Sequence, residues 1–337
     1  MSQNVFRVNK PYELRKAGPL DLIELVPVPR ANSLYLPKII LEVYAYSIVY
    51  KELIHISGPT GTAKSSFLEA MALPENFLLI CESLGFPHKK PIKLYTAEMA
   101  CFESPGELYQ RRSLKEGTTY DEPSIVIKSF RDGNKYKKTH HLVMWIKEIG
   151  RAHAPSVQGG LLDLMDKIIV RLPDGSTIDP SGFAWVCDSN YQAESDSIHT
   201  LVTLDDALKR RFSINITMDY LAAEQEEQVL HNLIKQWHLK QDLRMLVPKI
   251  VKLGQKIRHQ RLEGNLQSAT VPTIYGYEAL LKMMNALPHL SLRDAVFYTI
   301  LGNTSLEDSK TAMAVFNEIF GLQAEDEEEA NLLRSMF

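Results

Sequence analysis

The stretch Gly58-Pro59-Thr60-Gly61-Thr62-Ala63-Lys64-Ser65-Ser66 constrains this chain more than any other. It follows a β-prone run over 52–56 and precedes a helical pattern over 65–73. Strand, glycine-bearing loop and helix, in that order, build a phosphate site in an α/β sheet. The chemistry needs these residue types. Successive backbone N–H groups must curl around a phosphate, which small residues with permissive φ allow. The helix N-terminus adds its positive dipole end. In such a loop Lys64 reaches the β- and γ-phosphates and the Ser65 hydroxyl binds Mg2+. Ala63 stands where the last glycine of G-x-x-x-x-G-K-[ST] belongs, and its Cβ restricts φ. The opposing reading is a glycine-rich turn that binds no phosphate. Strand, spacing, Lys-Ser pair and helix together weigh against it.

Further β-prone runs at 91–96, 142–146, 183–187 and 213–217 alternate with helical patterns. That alternation predicts an α/β domain with a mainly parallel sheet covered by helices. A buried helix is expected over 36–50. The segment 167–179 turns at Asp174-Gly175, a hairpin signal, behind a helix with Val157, Leu161 and Met165 on one stripe. Beyond 217 the strands stop. Helical patterns over 221–238, 247–257, 277–287, 292–301 and 311–320 predict a second, all-helical domain. The 337 residues exceed what one core usually holds, about 250–300. We therefore expect an extended lead-in over 1–35, a nucleotide-binding α/β domain over 36–218, a helical domain over 219–323 and an acidic tail over 324–337.

The net charge of −3 advertises neither nucleic acid nor an acidic membrane. Cys81, Cys101 and Cys187 are far apart and have no zinc spacing, a usage that fits a reducing compartment. No apolar h-region follows the polar first ten residues, and no apolar stretch nears the roughly 18 residues of a membrane helix. These features lead us to expect a cytoplasmic protein. Lys128, Arg131, Lys135, Lys137, Lys138, His140 and His141 form a basic stretch with Phe130 and Tyr136 interleaved. Aromatic-plus-basic loops grip single strands; a solvated loop is the simpler reading and the one we favour.

Three more segments sharpen the reading. His141-Leu142-Val143-Met144-Trp145-Ile146-Lys147-Glu148-Ile149-Gly150-Arg151-Ala152 ends a predicted strand, and Phe183-Ala184-Trp185-Val186-Cys187-Asp188-Ser189-Asn190 ends another. Leu204-Asp205-Asp206-Ala207-Leu208-Lys209-Arg210-Arg211-Phe212 follows. In this order, over about residues 36–300, the chain resembles the MoxR/CbbQ branch of AAA+ ATPases, and also McrB-type and GvpN-type modules. Members of the MoxR-like branch also carry alanine in the phosphate loop.

The resemblance implies an ATPase that binds ATP and Mg2+ between subunits of a ring, expected to be a hexamer. Glu148 then polarises the attacking water, and Asn190 is the sensor-1 residue that orients it. Arg211, or its neighbour Arg210, is the finger inserted into the next subunit's site, where it meets transition-state charge. The 167–179 hairpin is the insertion ahead of sensor 1, and the helical domain is the lid. The family remodels partner proteins and often works with a von Willebrand factor A domain protein, which makes such a protein a candidate partner.

Two positions depart from the family pattern. Lys147 stands where the Walker-B aspartate holds the Mg2+ water shell, which a lysine cannot do. Val271-Pro272-Thr273-Ile274-Tyr275 aligns with the sensor-2 turn but lacks its arginine, and Arg293 is the nearby substitute, or an exposed helix residue. Both bear on hydrolysis more than on binding. Bland readings stand beside each role. Glu148 could form a strand-end salt bridge, Asn190 a turn, and Arg210 and Arg211 an ion-pair cluster with Asp205 and Asp206. Three functions are therefore weighed: an ATP-driven remodeller, a nucleotide-stabilised scaffold or switch with slow or no hydrolysis, and a nucleic-acid-acting or defence component. The first is favoured, and the third rests on the basic stretch alone.

Overall fold

The apolar β-runs pair as their hydrophobicity demands: runs buried on both faces read as near-continuous Val/Ile/Leu-type segments and form parallel sheets. The computed structural model describes residues 25–27, 34–73, 75–83, 85, 90–115, 117–166, 169–172, 174–190, 204–266, 271–302 and 304–321. Most of the expected lead-in, the acidic tail over 324–337 and Lys167 of the hairpin lie outside these residues. The chain divides into two compact units, Met1–Tyr220 and Leu221–Phe337.

The first unit opens with β1 (Leu25–Pro27) antiparallel to β2 (Tyr35–Pro37), followed by α1 (Lys38–Tyr50). Then come β3 (Leu53–Gly58), α2 (Lys64–Met71), α3 (Asn76–Ser83) and β4 (Ile92–Glu98). A hairpin of β5 (Gln110–Lys115) and β6 (Thr118–Pro123) leads to α4 (Ile125–Gly133) and β7 (His141–Lys147). Helix α5 (Pro155–Asp166) precedes the small pair β8 (Val170–Arg171) and β9 (Thr177–Ile178). The unit closes with β10 (Phe183–Asn190), α6 (Asp206–Arg211) and β11 (Ile214–Thr217). The five-stranded sheet has the order β11-β3-β10-β7-β4, and all its neighbours are parallel.

Side chains alternate across this sheet. Ile54, Ile56, Val143, Trp145, Ala184 and Val186 face one core, with Tyr44, Phe67, Leu68 and Phe77 from α1, α2 and α3. Leu142, Met144, Ile146, Phe183, Trp185 and Cys187 face the other, with Phe130 of α4 and Leu161 of α5. Three layers result, helices over both faces of a parallel sheet, as the alternating pattern predicted.

The turn at Asp174-Gly175 is real: Gly175 has φ 82°, and Arg171 pairs with Thr177. Two features differ from expectation. The β5–β6 hairpin, rich in charge, carries no clear two-sided pattern and is absent from the runs expected above. The basic stretch is no simple solvated loop. Its first half is helix α4, whose Val126, Ile127 and Phe130 are fully buried and whose Ser124 cap accepts from Ile127 N at 3.1 Å.

The second unit holds α7 (Ala223–Gln236), α8 (Val247–Leu262), α9 (Ile274–Ala286), α10 (Leu292–Val296) and α11 (Leu306–Phe320). Val229, Leu230, Leu233 and Ile234 form the buried face of α7. Glu226 of α7 and Arg258 of α8 make a buried, two-pronged ion pair at 2.8 and 2.6 Å, and Arg258 also donates to the Pro272 carbonyl at 3.2 Å. Arg293 lies on α10.

Candidate functional site

The loop between β3 and α2 lies at the carboxyl ends of parallel strands, where α/β sheets bind ligands. Gly58 is required by packing: a Cβ there would lie 1.9 Å from the Met218 carbonyl oxygen, beyond the end of β11. Gly61 takes φ 86°, and Ala63 takes φ 65° with ψ 22°. An L-residue in that left-handed region costs roughly 1–2 kcal/mol. The missing glycine therefore does not change the backbone path; the chain accepts strain to keep it. Three side chains brace the loop. Thr62 Oγ1 donates to the Pro59 carbonyl at 2.9 Å, and Tyr220 Oη donates to the Thr60 carbonyl at 2.8 Å. Lys64 Nζ donates to the carbonyls of Gly58 at 2.9 Å and Pro59 at 2.7 Å.

Lys64 is only 6% exposed. Burial lowers its pKa from 10.5 to about 8, and the charges of Asp188 and Glu148 offset part of that. Ser65 at the start of α2 is exposed, and its hydroxyl makes no hydrogen bond among the described residues. Ser66 is half-buried.

Sheet register brings the other residues to this loop. Asn190, the last residue of β10, pairs with Gly58 itself. Glu148 follows β7, the strand beyond β10, and adopts φ 50° and ψ 54°. A non-glycine residue held there costs about 1–3 kcal/mol. The Glu148 carboxylate meets Arg151 Nη1 at 3.2 Å. Its backbone N–H donates to Asp188 Oδ1 at 3.3 Å.

Lys147 points to the face of the sheet that carries Trp145. Its Nζ lies 4.4 Å from the Trp145 ring centre and 3.8 Å from Glu69 of α2. Arg210 and Arg211 end α6, whose Asp205 cap accepts from Ala207 N at 2.7 Å. Arg211 Nη2 meets Asp166 of α5 at 2.6 Å, and Asp206 takes Lys209 at 3.0 Å. The pairing with Asp205 and Asp206 weighed above is therefore not the one Arg211 makes. Arg210 is exposed and bonds to no carboxylate among the described residues.

Residues 54–212 match the family described as AAA domain (dynein-related subfamily). With the five parallel strands and the loop at their carboxyl ends, that match decides the fold. This is an AAA+ P-loop fold. The AAA+ region so matched contains every residue of the loop together with Glu148, Asn190, Arg210 and Arg211. No curated protein matches the sequence. One similar solved structure is a closed-state cryo-EM reconstruction of Hsp104 with ATPγS and FITC casein. It is 16% identical, with 64% of this chain and 41% of that chain covered and a TM-score of 0.43. The chain thus spans about two-fifths of that protein's length.

The geometry adds one residue that sequence reasoning passed over. Asp188 is 3% exposed, directly after the apolar run of its strand. Its Oδ1 accepts from Trp145 Nε1 at 2.6 Å as well as from Glu148 N. Burial raises its pKa, against the pull of those two hydrogen bonds and of Lys64. The available signal was a carboxylate directly after the apolar run Phe183-Ala184-Trp185-Val186-Cys187, since buried charges need partners.

Proposed function

We propose that this chain is an ATPase that binds ATP with Mg2+ on the 58–66 loop and hydrolyses it. The single observation that supports this best is convergence. Lys64, Asn190, Glu148 and Asp188 come from three neighbouring elements and gather at one end of the sheet. A glycine turn without a ligand has no use for that set.

Each residue has a task. The loop N–H groups and Lys64 hold the polyphosphate, and Lys64 must leave two backbone carbonyls to do so. Glu148 polarises the attacking water and releases Arg151 as it does. Asn190 orients that water from its position beside Gly58. Mg2+, when bound, neutralises charge on the β- and γ-phosphates. The exposed, unpaired Ser65 hydroxyl fits such an ion. Among the described residues no group of three or more His, Cys, Asp or Glu gathers as a metal cage.

We further read the protein as MoxR/CbbQ-like, acting as a ring, with a hexamer the expected size. Arg211 or Arg210 completes the neighbour's site, and the helical unit is the lid. Hydrolysis then remodels a partner protein or complex, a von Willebrand factor A domain protein being the candidate. We place it in the cytoplasm, in keeping with its sparse, unpaired cysteines. A second reading, a nucleotide-stabilised scaffold with little turnover, draws on Lys147, which brings no carboxylate to a metal. The nucleic-acid reading keeps the exposed Lys137 and Lys138 but draws less on the rest of the stretch. Phe130 is fully buried, and Lys128, Arg131 and Lys135 pair with Glu122, Asp174 and Asp132.

The test is ATP binding and turnover by the whole chain, Lys64→Ala and Glu148→Gln. Loss of binding in the first and of turnover alone in the second is expected. A chain that binds no ATP refutes the proposal.

A further inference from the structure

Lys147 leaves the magnesium side of an ATP site without the carboxylate that usually ends this strand. The neighbouring strand supplies one. Asp188 of β10 faces the same core as Ala184 and Val186, which is also the face of Trp145 and Lys147. It lies in register with Ile56, two residues before Gly58.

Stability does not explain this aspartate. Burying a carboxylate costs several kcal/mol, repaid only when its lone pairs are satisfied. Oδ1 takes both hydrogen bonds, from Trp145 Nε1 and Glu148 N. Oδ2 accepts none among the described residues and is not sealed from solvent. Half of the group's capacity is therefore kept free, within electrostatic reach of the Lys64 ammonium. Lys147 is occupied elsewhere, over the Trp145 ring and toward Glu69. It competes for neither oxygen.

We propose that Asp188 is the carboxylate that orients the Mg2+ of a bound nucleotide, together with Ser65, supplied by β10 in place of the end of β7. The inference rests on the nucleotide-site reading above. It makes Lys147 a charge partner of Glu69, outside the metal site. It also links the ion to catalysis, since the oxygen that anchors Asp188 holds the backbone of Glu148.

The experiment measures binding of a fluorescent, non-hydrolysable ATP analogue in Mg2+ and in EDTA. The whole chain, Asp188→Asn and Lys147→Ala are compared, with Tm as the folding check. Asparagine keeps an acceptor for Trp145, so Tm stays within a few degrees and affinity in EDTA holds or improves. The gain that Mg2+ confers falls by about tenfold or more in Asp188→Asn, the usual scale for losing a metal-orienting partner. Lys147→Ala keeps that gain, and this second variant decides the matter if Asp188→Asn fails to fold. An undiminished gain in Asp188→Asn, or a lost one in Lys147→Ala, overturns the proposal. A parent chain that binds no nucleotide in either condition overturns the nucleotide-site reading instead.

Discussion

Lys64 should make ATP affinity depend on pH in a window that the structure sets. Its ammonium is buried on two carbonyls, and burial lowers its pKa to about 8. A polyphosphate beside it favours the charged form, so the pKa rises on binding. Binding between the two values therefore takes up a proton. Below the free-state value affinity is flat. At that value half of the sites are uncharged, a loss of about twofold, and each further pH unit costs about tenfold. The nucleotide's own terminal phosphate, with a second pKa of about 6, no longer titrates there. The sign for stability is opposite. Between about 8 and 10.5 the unfolded chain binds more protons at this position, so the free protein gains stability as pH rises. The assay is calorimetry of ATP binding in EDTA between about pH 7 and 9, in two buffers of different ionisation enthalpy. Proton uptake should approach one per site at the upper end. Lys64→Met should bind weakly and without slope. Constant affinity across the range, or the same slope in Lys64→Met, refutes the reasoning.

Three further outcomes are expected. Arg211→Ala should cost at most about 1 kcal/mol of stability, because its pair with Asp166 is half exposed. It should nevertheless lower turnover by about a thousandfold, and mixing it with Glu148→Gln should restore about a quarter of the parent rate, the share of interfaces with both groups intact. No restoration on mixing would place Arg211 outside the neighbour's site. Gly58→Ala should destabilise the first unit by at least about 2 kcal/mol, since its Cβ meets the Met218 carbonyl; an unchanged denaturant midpoint would count against this. Arg258→Met should cost about 3–5 kcal/mol by stranding Glu226, whose pKa burial already raises, and acid should recover part of the loss. Circular dichroism melts read this, and a loss that deepens in acid would contradict it.

Most of the fold could be read from residues because its strands are buried on both faces. Runs such as Leu142 to Ile146 carry an unmistakable apolar signal, and each lies between helical stripes. The β5–β6 hairpin could not. Gln110, Arg111 and Arg112 pair with Pro123, Glu122 and Asp121, and ladders of charged residues resemble loops. The loop over 58–66 stood out because the phosphate chemistry proposed for it demands a fixed spacing. Ala63 shows the limit, since only the folded backbone reveals that it keeps the left-handed turn. Asp188 was hidden for a different reason. Its meaning lies in parallel register with β3 and in a hydrogen bond from Trp145, a residue 43 positions away. Local pattern carries neither. Likewise nothing in Arg210-Arg211 says which arginine is tied to Asp166 and which is free.

The most direct test is steady-state ATP turnover per subunit across a range of protein concentrations, for the parent chain and Glu148→Gln. The account predicts turnover that rises with concentration, as sites are completed between subunits, and that the glutamine variant loses. ATP bound but not hydrolysed at any concentration would contradict it and leave the scaffold reading in its place.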